Sequence, residues 1–524
     1  MDKSSPFNYF LYVPKFHHYY DLLGDHIFGL CLPMGLIPLT SLVNQEGFPS
    51  RLVHLGIERI SGNEDNFFQR IYHEQPKICA LSLHWHFQSY DVIETAKKIK
   101  QLSPKTFIVL GGFTASFFHE EIIANYPEIN GILRGDSEKG IIQLFRSIIK
   151  NEGSLSDISN LTFRGEGGGI IVNPLDFIAQ EADLARLNYT DFSVMDRHED
   201  YMNTVSGTWL WVPRLGKYGN KAILTGLKFF PLSISRGCDE NCSYCGGSAT
   251  AQKRINNRGK LTIRPLDSIL NTLTAVGNYD YQTIYVEFMP FNGHREFYEK
   301  IFANIASKPD RHIYLECRNM PPVELLEIYK KFFSGDLRSY IALSPECRSE
   351  SIRRRNKSSF YSNKQLKYFL RFCEKNECTM VLFGAVWIPG MTAGIIKENF
   401  KWYNKLKKQY RNLDKIILER IQLDPACPMY MEPEKYNLTT NLKRFTDFYQ
   451  FHKRSSFQNC SKELGYRDDR FLSDDQFEKM VKAYECSFFC KFQRGKAYRN
   501  YWSYKIFNNI YRTVCYISKK LTTY

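Results

Sequence analysis

Three cysteines between residues 238 and 245 constrain this chain more than any other feature. The stretch Ser235-Arg236-Gly237-Cys238-Asp239-Glu240-Asn241-Cys242-Ser243-Tyr244-Cys245-Gly246-Gly247 spaces its thiols Cys-x3-Cys-x2-Cys. A strand-like run, Pro231 to Ile234, leads into it. The fold must therefore bring a strand end into a tight loop whose three sulfurs reach one object, and glycine relaxes the backbone there. Thiolates are the usual ligands of iron–sulfur clusters. A four-iron cubane held by three cysteines keeps one iron open to a small molecule. Zinc is a competing reading, but structural zinc closes with four ligands, often from two Cys-x2-Cys pairs, and no fourth cysteine lies nearby. Three unrelated reduced thiols are the other alternative.

The spacing, with the aromatic Tyr244 just before the last cysteine, resembles the radical S-adenosylmethionine (SAM) enzymes. The resemblance implies a [4Fe-4S] cluster on Cys238, Cys242 and Cys245, with S-adenosylmethionine chelated at the open iron through its amino and carboxylate groups.

The length of 524 residues suggests about two to four domains. A formal charge of +15 favours anionic ligands or surfaces without choosing among them. Fourteen cysteines in a chain this long are not a disulfide scaffold, and a reducible cluster suits a reducing compartment, so a cytoplasmic location is expected. The N-terminus shows no apolar run behind a basic segment. The most apolar long stretch, Ile27 to Val43, is broken by Pro33 and Pro38 and is short for a spanning helix.

From residue 1 to 165, strand-like runs (Tyr9–Val13, Arg51–Leu55, Ile78–Ser82, Phe107–Leu110, Ile132–Arg134) alternate with helical ones. This order predicts an α/β, doubly wound parallel sheet of Rossmann-like type. Ligands on such sheets sit outside the carboxyl ends of the strands, here loops 14–34, 83–90 and 111–116 and the segment after Arg134. Taken together, Pro33-Met34-Gly35-Leu36, Val109-Leu110-Gly111-Gly112-Phe113-Thr114-Ala115 and Leu133-Arg134-Gly135-Asp136-Ser137-Glu138 resemble the cobalamin-binding domain found ahead of many radical SAM domains. The resemblance implies cobalamin contacts at Gly111, Gly112, Thr114, Arg134 and Glu138. A flavodoxin-like domain without cofactor is the alternative. The Asp-x-His-x-x-Gly motif of cobalamin mutases and methyltransferases is absent from this domain, so no histidine of that kind ligates cobalt. The nearest pattern, Asp196-Arg197-His198, reads as linker. His84 and His86 flank Trp85 on the ligand side, where a packed aromatic loop is the expected arrangement.

Residues 166–227 form a connector that includes a hairpin turn at Gly165–Gly169. It is expected to pack on both domains or to cover a site. From 228 to 430, six βα units predict a partial (β/α)6 TIM-like barrel, with its chemistry at the strand carboxyl ends. There Arg318 is a candidate partner for the SAM carboxylate, or a member of an internal ion pair with Glu316 or Glu346. Ser344 and Glu346 are candidates for the ribose, and Tyr244 with the backbone near Ile388 for the adenine. The family's Gly-Gly-Glu motif is not intact; its place reads Glu287-Phe288-Met289-Pro290. The run Ser344-Pro345-Glu346 through Arg353-Arg354-Arg355-Asn356-Lys357 resembles the cobalamin-associated subgroup, and its basic residues read equally well as a solvated helix face.

Residues 431–524 form a basic, aromatic and mainly helical C-terminal region, with helices expected at Phe445–Phe451 and Asp474–Tyr484. Cys486 and Cys490 read as structural or solvent-facing thiols. Residues 491–524 hold eight Lys or Arg and no acid, with Trp502, Ile506, Ile510, Val514 and Ile517 at helical spacing. Docking on the barrel, membrane-surface contact and an anionic substrate carrier are the readings for this amphipathic helix. No nucleic-acid-binding module is recognised, so a nucleic-acid partner is not expected.

The resemblance implies a cobalamin-dependent C-methyltransferase acting on a small-molecule or peptide substrate, with an electron donor such as flavodoxin or ferredoxin. Radical cyclisation or rearrangement without methyl transfer is the alternative. An RNA methylthiotransferase and a non-catalytic metal-binding scaffold rank below both; only Cys31 and Cys79 precede the connector, which leaves no second cluster there.

Overall fold

Apolar runs bounded by glycine and proline become two parallel sheets in the computed structural model, which describes residues 7–17, 26–28, 30–204, 228–287, 295–454 and 465–467. The first sheet has seven strands: β1 (Asn8–Tyr12), β2 (Ser50–His54), β3 (Ile78–Ser82), β4 (Phe107–Gly111), β5 (Gly131–Leu133), β6 (Leu161–Arg164) and β7 (Ile170–Val172). Their spatial order is β2-β1-β3-β4-β5-β6-β7, and the first five run parallel. This is the doubly wound arrangement expected from the alternation. Its switch point lies between β1 and β3, the place at the carboxyl ends where sheets of this kind bind ligands. Strand β1 is buried along its whole length, as a central strand covered on both faces must be. The hairpin β6–β7, expected in the connector, is the antiparallel edge of this same sheet. The helix Leu36–Gln45 is followed by Gly47 at φ +83°, a left-handed stop that glycine takes without strain.

The second sheet consists of β8 (Phe229–Leu232), β9 (Thr283–Glu287), β10 (His312–Cys317), β11 (Tyr340–Glu346), β12 (Thr379–Trp387) and β13 (Leu413–Arg420), paired in chain order and all parallel. Among the described residues β8 and β13 do not pair, so the barrel is open, as the six βα units predict. Helix caps follow local chemistry. Ser362 accepts from the Gln365 amide at 3.2 Å, and Gln365 accepts from the Ser362 amide at 2.8 Å.

The two sheets share apolar cores and are also joined by ion pairs. Asp136 accepts from Arg236 at 3.0 Å and also from Arg258; Glu138 accepts from Arg236 at 2.6 Å. Gly135, at φ +62°, lies against Asn256, and a β-carbon there would sit 3.1 Å from the Asn256 Cα. The helix Phe445–Arg454 packs on the first domain: Glu121 accepts from the Phe445 and Thr446 amides at its N-terminus, and Tyr449 donates to Glu94 at 2.6 Å.

Asp474–Tyr484, Cys486, Cys490 and residues 491–524 lie outside the described residues, as do 205–227 of the connector. No helix among the described residues is long and apolar enough to cross a membrane.

Candidate active site

The cysteine loop leaves β8 at the carboxyl end of the barrel and turns through Gly237, at φ +100°, where a side chain would strike Arg258. Cys238, Cys242 and Cys245 are free thiols and partly exposed, whereas Cys317, Cys347, Cys373, Cys378 and Cys427 are buried. Burial first, then Asp424, pushes the Cys245 thiol up to about 12, and Cys242 and Cys238 add to the shift. The three sulfurs therefore sense one another. Yet among the described residues no three His, Cys, Asp or Glu side chains converge on a point that would hold a single ion.

Each cysteine has its own charged neighbour. Arg318 donates to Cys238 Sγ at 3.0 Å, and its charge opposes the upward shift that burial gives that thiol. Lys357 plays the same part at Cys242. At Cys245 the neighbour is an anion, Asp424, whose Oδ2 accepts from the Gly246 amide at 3.1 Å. Ser243 anchors the middle of the loop: its amide donates to the Asn356 carbonyl at 2.8 Å and its hydroxyl to Asn356 Oδ1 at 2.7 Å.

The strand ends supply the next layer. Arg318 pairs with Glu287, through Nε at 2.9 Å, and not with Glu316 or Glu346 as the sequence suggested. Glu316 instead accepts from Tyr285. Burial works against the Arg318 charge, but Glu287 and Cys238 outweigh it and hold its pKa above the ordinary value. In β11 the register shifts between Leu343 and Glu346, and this bulge turns Glu346, at φ +58°, into the site. Strained backbone of this kind clusters at functional sites. Glu346 accepts from the Tyr244 hydroxyl at 2.7 Å, and Lys357 Nζ lies 3.6 Å from the same oxygen while donating to the Ser344 carbonyl at 2.7 Å. Tyr244, Ser344 and Glu346 thus come together. Ile388 is wholly buried in a neighbouring apolar cluster with Ile352 and Met391.

The basic run Arg353–Lys357 is not a solvated face throughout. Arg353 is fully buried and donates to the carbonyls of Pro345, Cys347 and Tyr361, holding the chain on either side of Glu346. Lys357 is buried too; only Arg354 and Arg355 face solvent.

The carboxyl ends of the first sheet look toward this loop. Gly112, at φ +105°, brings the segment after β4 so close to the segment after β3 that a β-carbon would lie 2.7 Å from the His84 Cα. Thr114 donates its hydroxyl to the His84 carbonyl at 3.0 Å, which occupies a group expected to contact cofactor. His84 stacks on Phe113 at 4.6 Å, and Trp85 stacks on Phe87 at 6.3 Å, the packed aromatic loop anticipated there. Burial pulls the His84 pKa down to about 4, so the imidazole is neutral. Phe113 reaches the cysteine loop: a β-carbon on Gly247 would lie 3.6 Å from its ring and 3.8 Å from Cys245 Sγ. His86 bridges the domains, with Nε2 3.1 Å from Asp424 and Nδ1 2.9 Å from His452. Arg134 and Glu138 do not face this space freely. Arg134 donates to the Asn160 and Asn173 carbonyls, and Glu138 pairs with Arg236.

Sequence reasoning left out Lys357 and Asp424 as site residues. Lys357 ends a run of surface-like basic residues, so nothing marked it as buried. Asp424 stood at a strand end, which was the available signal.

Residues 232–402 match the model of the radical SAM superfamily. This segment is a radical SAM domain. Curated relatives of the chain include an uncharacterized methyltransferase of Pyrococcus horikoshii, 24% identical over 200 residues (38% of this chain and 36% of that protein). The hopanoid C-3 methylase of Methylococcus capsulatus is 24% identical over 228 residues, 43% of this chain and 37% of that one. The anaerobic magnesium-protoporphyrin IX monomethyl ester cyclase of a Synechocystis strain is 24% identical over 148 residues, 28% and 24% of the two chains. The matches span about a third or less of these relatives' lengths. Among solved structures, the radical SAM methyltransferase TsrM of Kitasatospora setae, with tryptophan and a SAM analogue bound, superposes with TM-score 0.61 at 14% identity, covering 84% of this chain and 79% of that one. The cobalamin-dependent radical SAM enzyme OxsB, with aqua-cobalamin and SAM bound, gives 0.54 at 14% identity over 96% and 71%. The radical SAM domain and the sheet before it thus share the fold of these cobalamin-dependent enzymes.

Proposed function

We propose that this chain is a cobalamin-dependent radical SAM methyltransferase acting on an unactivated carbon of a small-molecule or peptide substrate. The observation that carries the reading is the meeting of two strand-end faces. The cysteine loop at the mouth of the barrel lies against Phe113 from the mouth of the first sheet, and Asp424, which holds the loop's Gly246 amide, pairs with His86.

Cys238, Cys242 and Cys245, three free thiols on one loop at the mouth of the barrel, would hold a [4Fe-4S] cluster. For a corrin, the fitting feature is the rim after β4, where Gly112 lets the backbone lie close against His84, whose imidazole is half-buried and neutral. When bound, the cluster, SAM and cobalamin together supply reductive SAM cleavage, hydrogen abstraction from carbon, and methyl transfer. The protein's part is orientation and exclusion of water. Arg318 sets a positive charge beside Cys238, with Glu287 fixing its direction. Glu346, steadied by Tyr244 and Lys357, presents a carboxylate suited to ribose hydroxyls. Asp424 fixes the Gly246 amide, and through His86 ties the loop to the first domain.

Anaerobic reconstitution with iron, sulfide and hydroxocobalamin tests the reading. Production of 5′-deoxyadenosine from SAM, with a corrin spectrum that stays with the protein through gel filtration, supports it. A reconstituted protein that makes 5′-deoxyadenosine but retains no corrin would rule out the methyltransferase and leave radical chemistry. The cyclase relative favours a second reading, rearrangement without methyl gain, which product mass separates from the first.

A further inference from the structure

The interior of the barrel is lined by rings. Among the described residues, one apolar cluster draws on all six barrel strands and on no helix: Phe229 of β8, Tyr285 of β9, Tyr314 of β10, Tyr340 of β11, Phe383 of β12 and Ile417 of β13. Alternate residues on a strand point to opposite faces, and the intervening Ile284, Ile313 and Ile341 pack with the helices instead. The rings therefore face the lumen. Tyr285 and Tyr314 stack at 5.7 Å, and Phe229 lies 5.2 Å from Tyr285. Two residues further toward the carboxyl ends, the same face carries Glu287 on β9 and Glu316 on β10, directly opposite each other in register. Tyr314 is wholly buried, whereas Tyr285, Glu287 and Glu316 are partly exposed, so the ring-lined interior becomes accessible at this level. Arg318, two residues beyond Glu316, reaches Cys238 at 3.0 Å, which places Glu316 one layer beneath the cysteine loop.

Three acids stand at this mouth, and their partners differ. Glu287 is paired with Arg318, and Glu346 has Lys357 Nζ at 3.6 Å. Glu316 has no cation within 4 Å among the described residues; one of its oxygens accepts from the Tyr285 hydroxyl, and the other accepts from no described group. Burial raises the pKa of this carboxyl, and the Tyr285 hydrogen bond opposes the rise. Its charged form therefore gains from any cation that enters the mouth.

We infer that Glu316 is a specificity-determining residue and that the substrate carries an ammonium group on an apolar or aromatic frame. The inference rests on the methyltransferase reading and deepens it by naming the class of substrate. The ammonium donates to the second oxygen of Glu316, and the frame packs on Tyr285 and the rings beneath it. An ionised pair makes the stronger hydrogen bond. A hydroxyl donates to a carboxylate as well, but leaves the charge of a partly buried acid unmatched. Aromatic faces add attraction for a cation and none for an anion. A substrate held in this way lies directly below the cysteine loop, and its orientation is fixed by a group that the cofactors do not use.

The test uses the full chain reconstituted with iron, sulfide and hydroxocobalamin, and three probes of one shape and different charge: phenethylamine, phenethyl alcohol and hydrocinnamate. Saturation-transfer NMR titrations at neutral pH, without reductant, give the affinity of each. Phenethylamine, as its ammonium ion, should bind roughly tenfold or more tightly than phenethyl alcohol, and hydrocinnamate least of the three. Glu316→Gln keeps an acceptor for the Tyr285 hydroxyl while removing the charge. In that variant the amine should fall to the level of the alcohol, and the alcohol should bind as before. Should Glu316→Gln fail to fold, Glu316→Asp, which draws the carboxylate back by one methylene, carries the same comparison with a smaller fall. Equal affinities of amine and alcohol for the wild type overturn the proposal, and so does a preference for the amine that survives unchanged in the variant. The reading beneath is tested separately: no 5′-deoxyadenosine from SAM by the reconstituted wild type with dithionite overturns that reading, whatever the probes show, whereas failure of the amine preference alone leaves it standing.

Discussion

Replacing Asp136 by Ala separates two roles for the segment Arg134–Glu138. If it holds the domains together, the cost is set by what the change leaves behind. Asp136 is 5% exposed and Arg258 3%. Among the described residues, Arg258 without the carboxylate keeps the Thr262 hydroxyl and the Ala179 carbonyl, at 3.1 Å, and the Ala179 amide loses its 2.9 Å acceptor. Breaking a buried ion pair on one side costs about 3–5 kcal/mol. Arg236 is more exposed and retains Glu138, so its share is small and the lower part of that range applies, about 3–4 kcal/mol. At roughly 2–4 °C per kcal/mol for domains of this size, the melting temperature should fall by about 6–16 °C. Scanning calorimetry or fluorescence melting reads this directly. The double variant Asp136→Leu/Arg258→Met, which removes both charges, should recover at least part of the loss, because apolar pairs often replace buried ion pairs without penalty. A melting temperature within about 2 °C of wild type, together with weakened cobalamin retention, would refute the reasoning and return the segment to cofactor binding.

Changing Cys238, Cys242 or Cys245 singly to Ala should abolish 5′-deoxyadenosine formation and bleach the visible cluster absorbance, while Cys373→Ala, at a buried thiol away from the loop, should do neither. Gly112→Ala forces a β-carbon into the Leu83–His84 backbone at a positive φ, so urea melts should show a loss of about 2–3 kcal/mol. His54 is buried and neutral, with burial lowering its pKa from 6.5 to about 4. The unfolded chain therefore binds that proton more readily; stability is full above about pH 6.5 and is lost as pH falls toward 4. Its share of the loss between pH 7 and 5 is about 2 kcal/mol, measured as the difference in urea midpoint slope between wild type and His54→Asn; equal pH dependence in the two would contradict it.

Both sheets were legible because their signals are local and periodic. Each of the six barrel strands announced itself as a short β-rich run before a helical one, and the three cysteines carried their chemistry in their spacing. What the sequence did not disclose depends on partners far along the chain. Arg318 was placed correctly at the end of β10, but its partner is Glu287, 31 residues away on the neighbouring strand, and not the nearer Glu316. The β9–β10 register puts Glu287 directly opposite Glu316, so either acid was available to Arg318. Glu316 is taken by Tyr285, a choice made by side-chain packing that no spacing rule records.

The same reasoning explains why the basic run after Glu346 misled. Four cations in five residues read as a solvated face, since burying a guanidinium costs several kcal/mol unless it is fully bonded. Arg353 meets that condition through three backbone carbonyls and Asn363, and two of those carbonyls, of Pro345 and Cys347, lie on either side of Glu346 at the bulge. The buried arginine and the strained glutamate are one device: two of the carbonyls that satisfy Arg353 belong to the residues on either side of Glu346, which sits at positive φ. Relaxing the turn would strand the guanidinium, and removing the guanidinium would release the turn. The strain at Glu346 is thus maintained by a cation that touches none of the expected ligand groups, and the carboxylate stays aimed at the cysteine loop, where Tyr244 meets it.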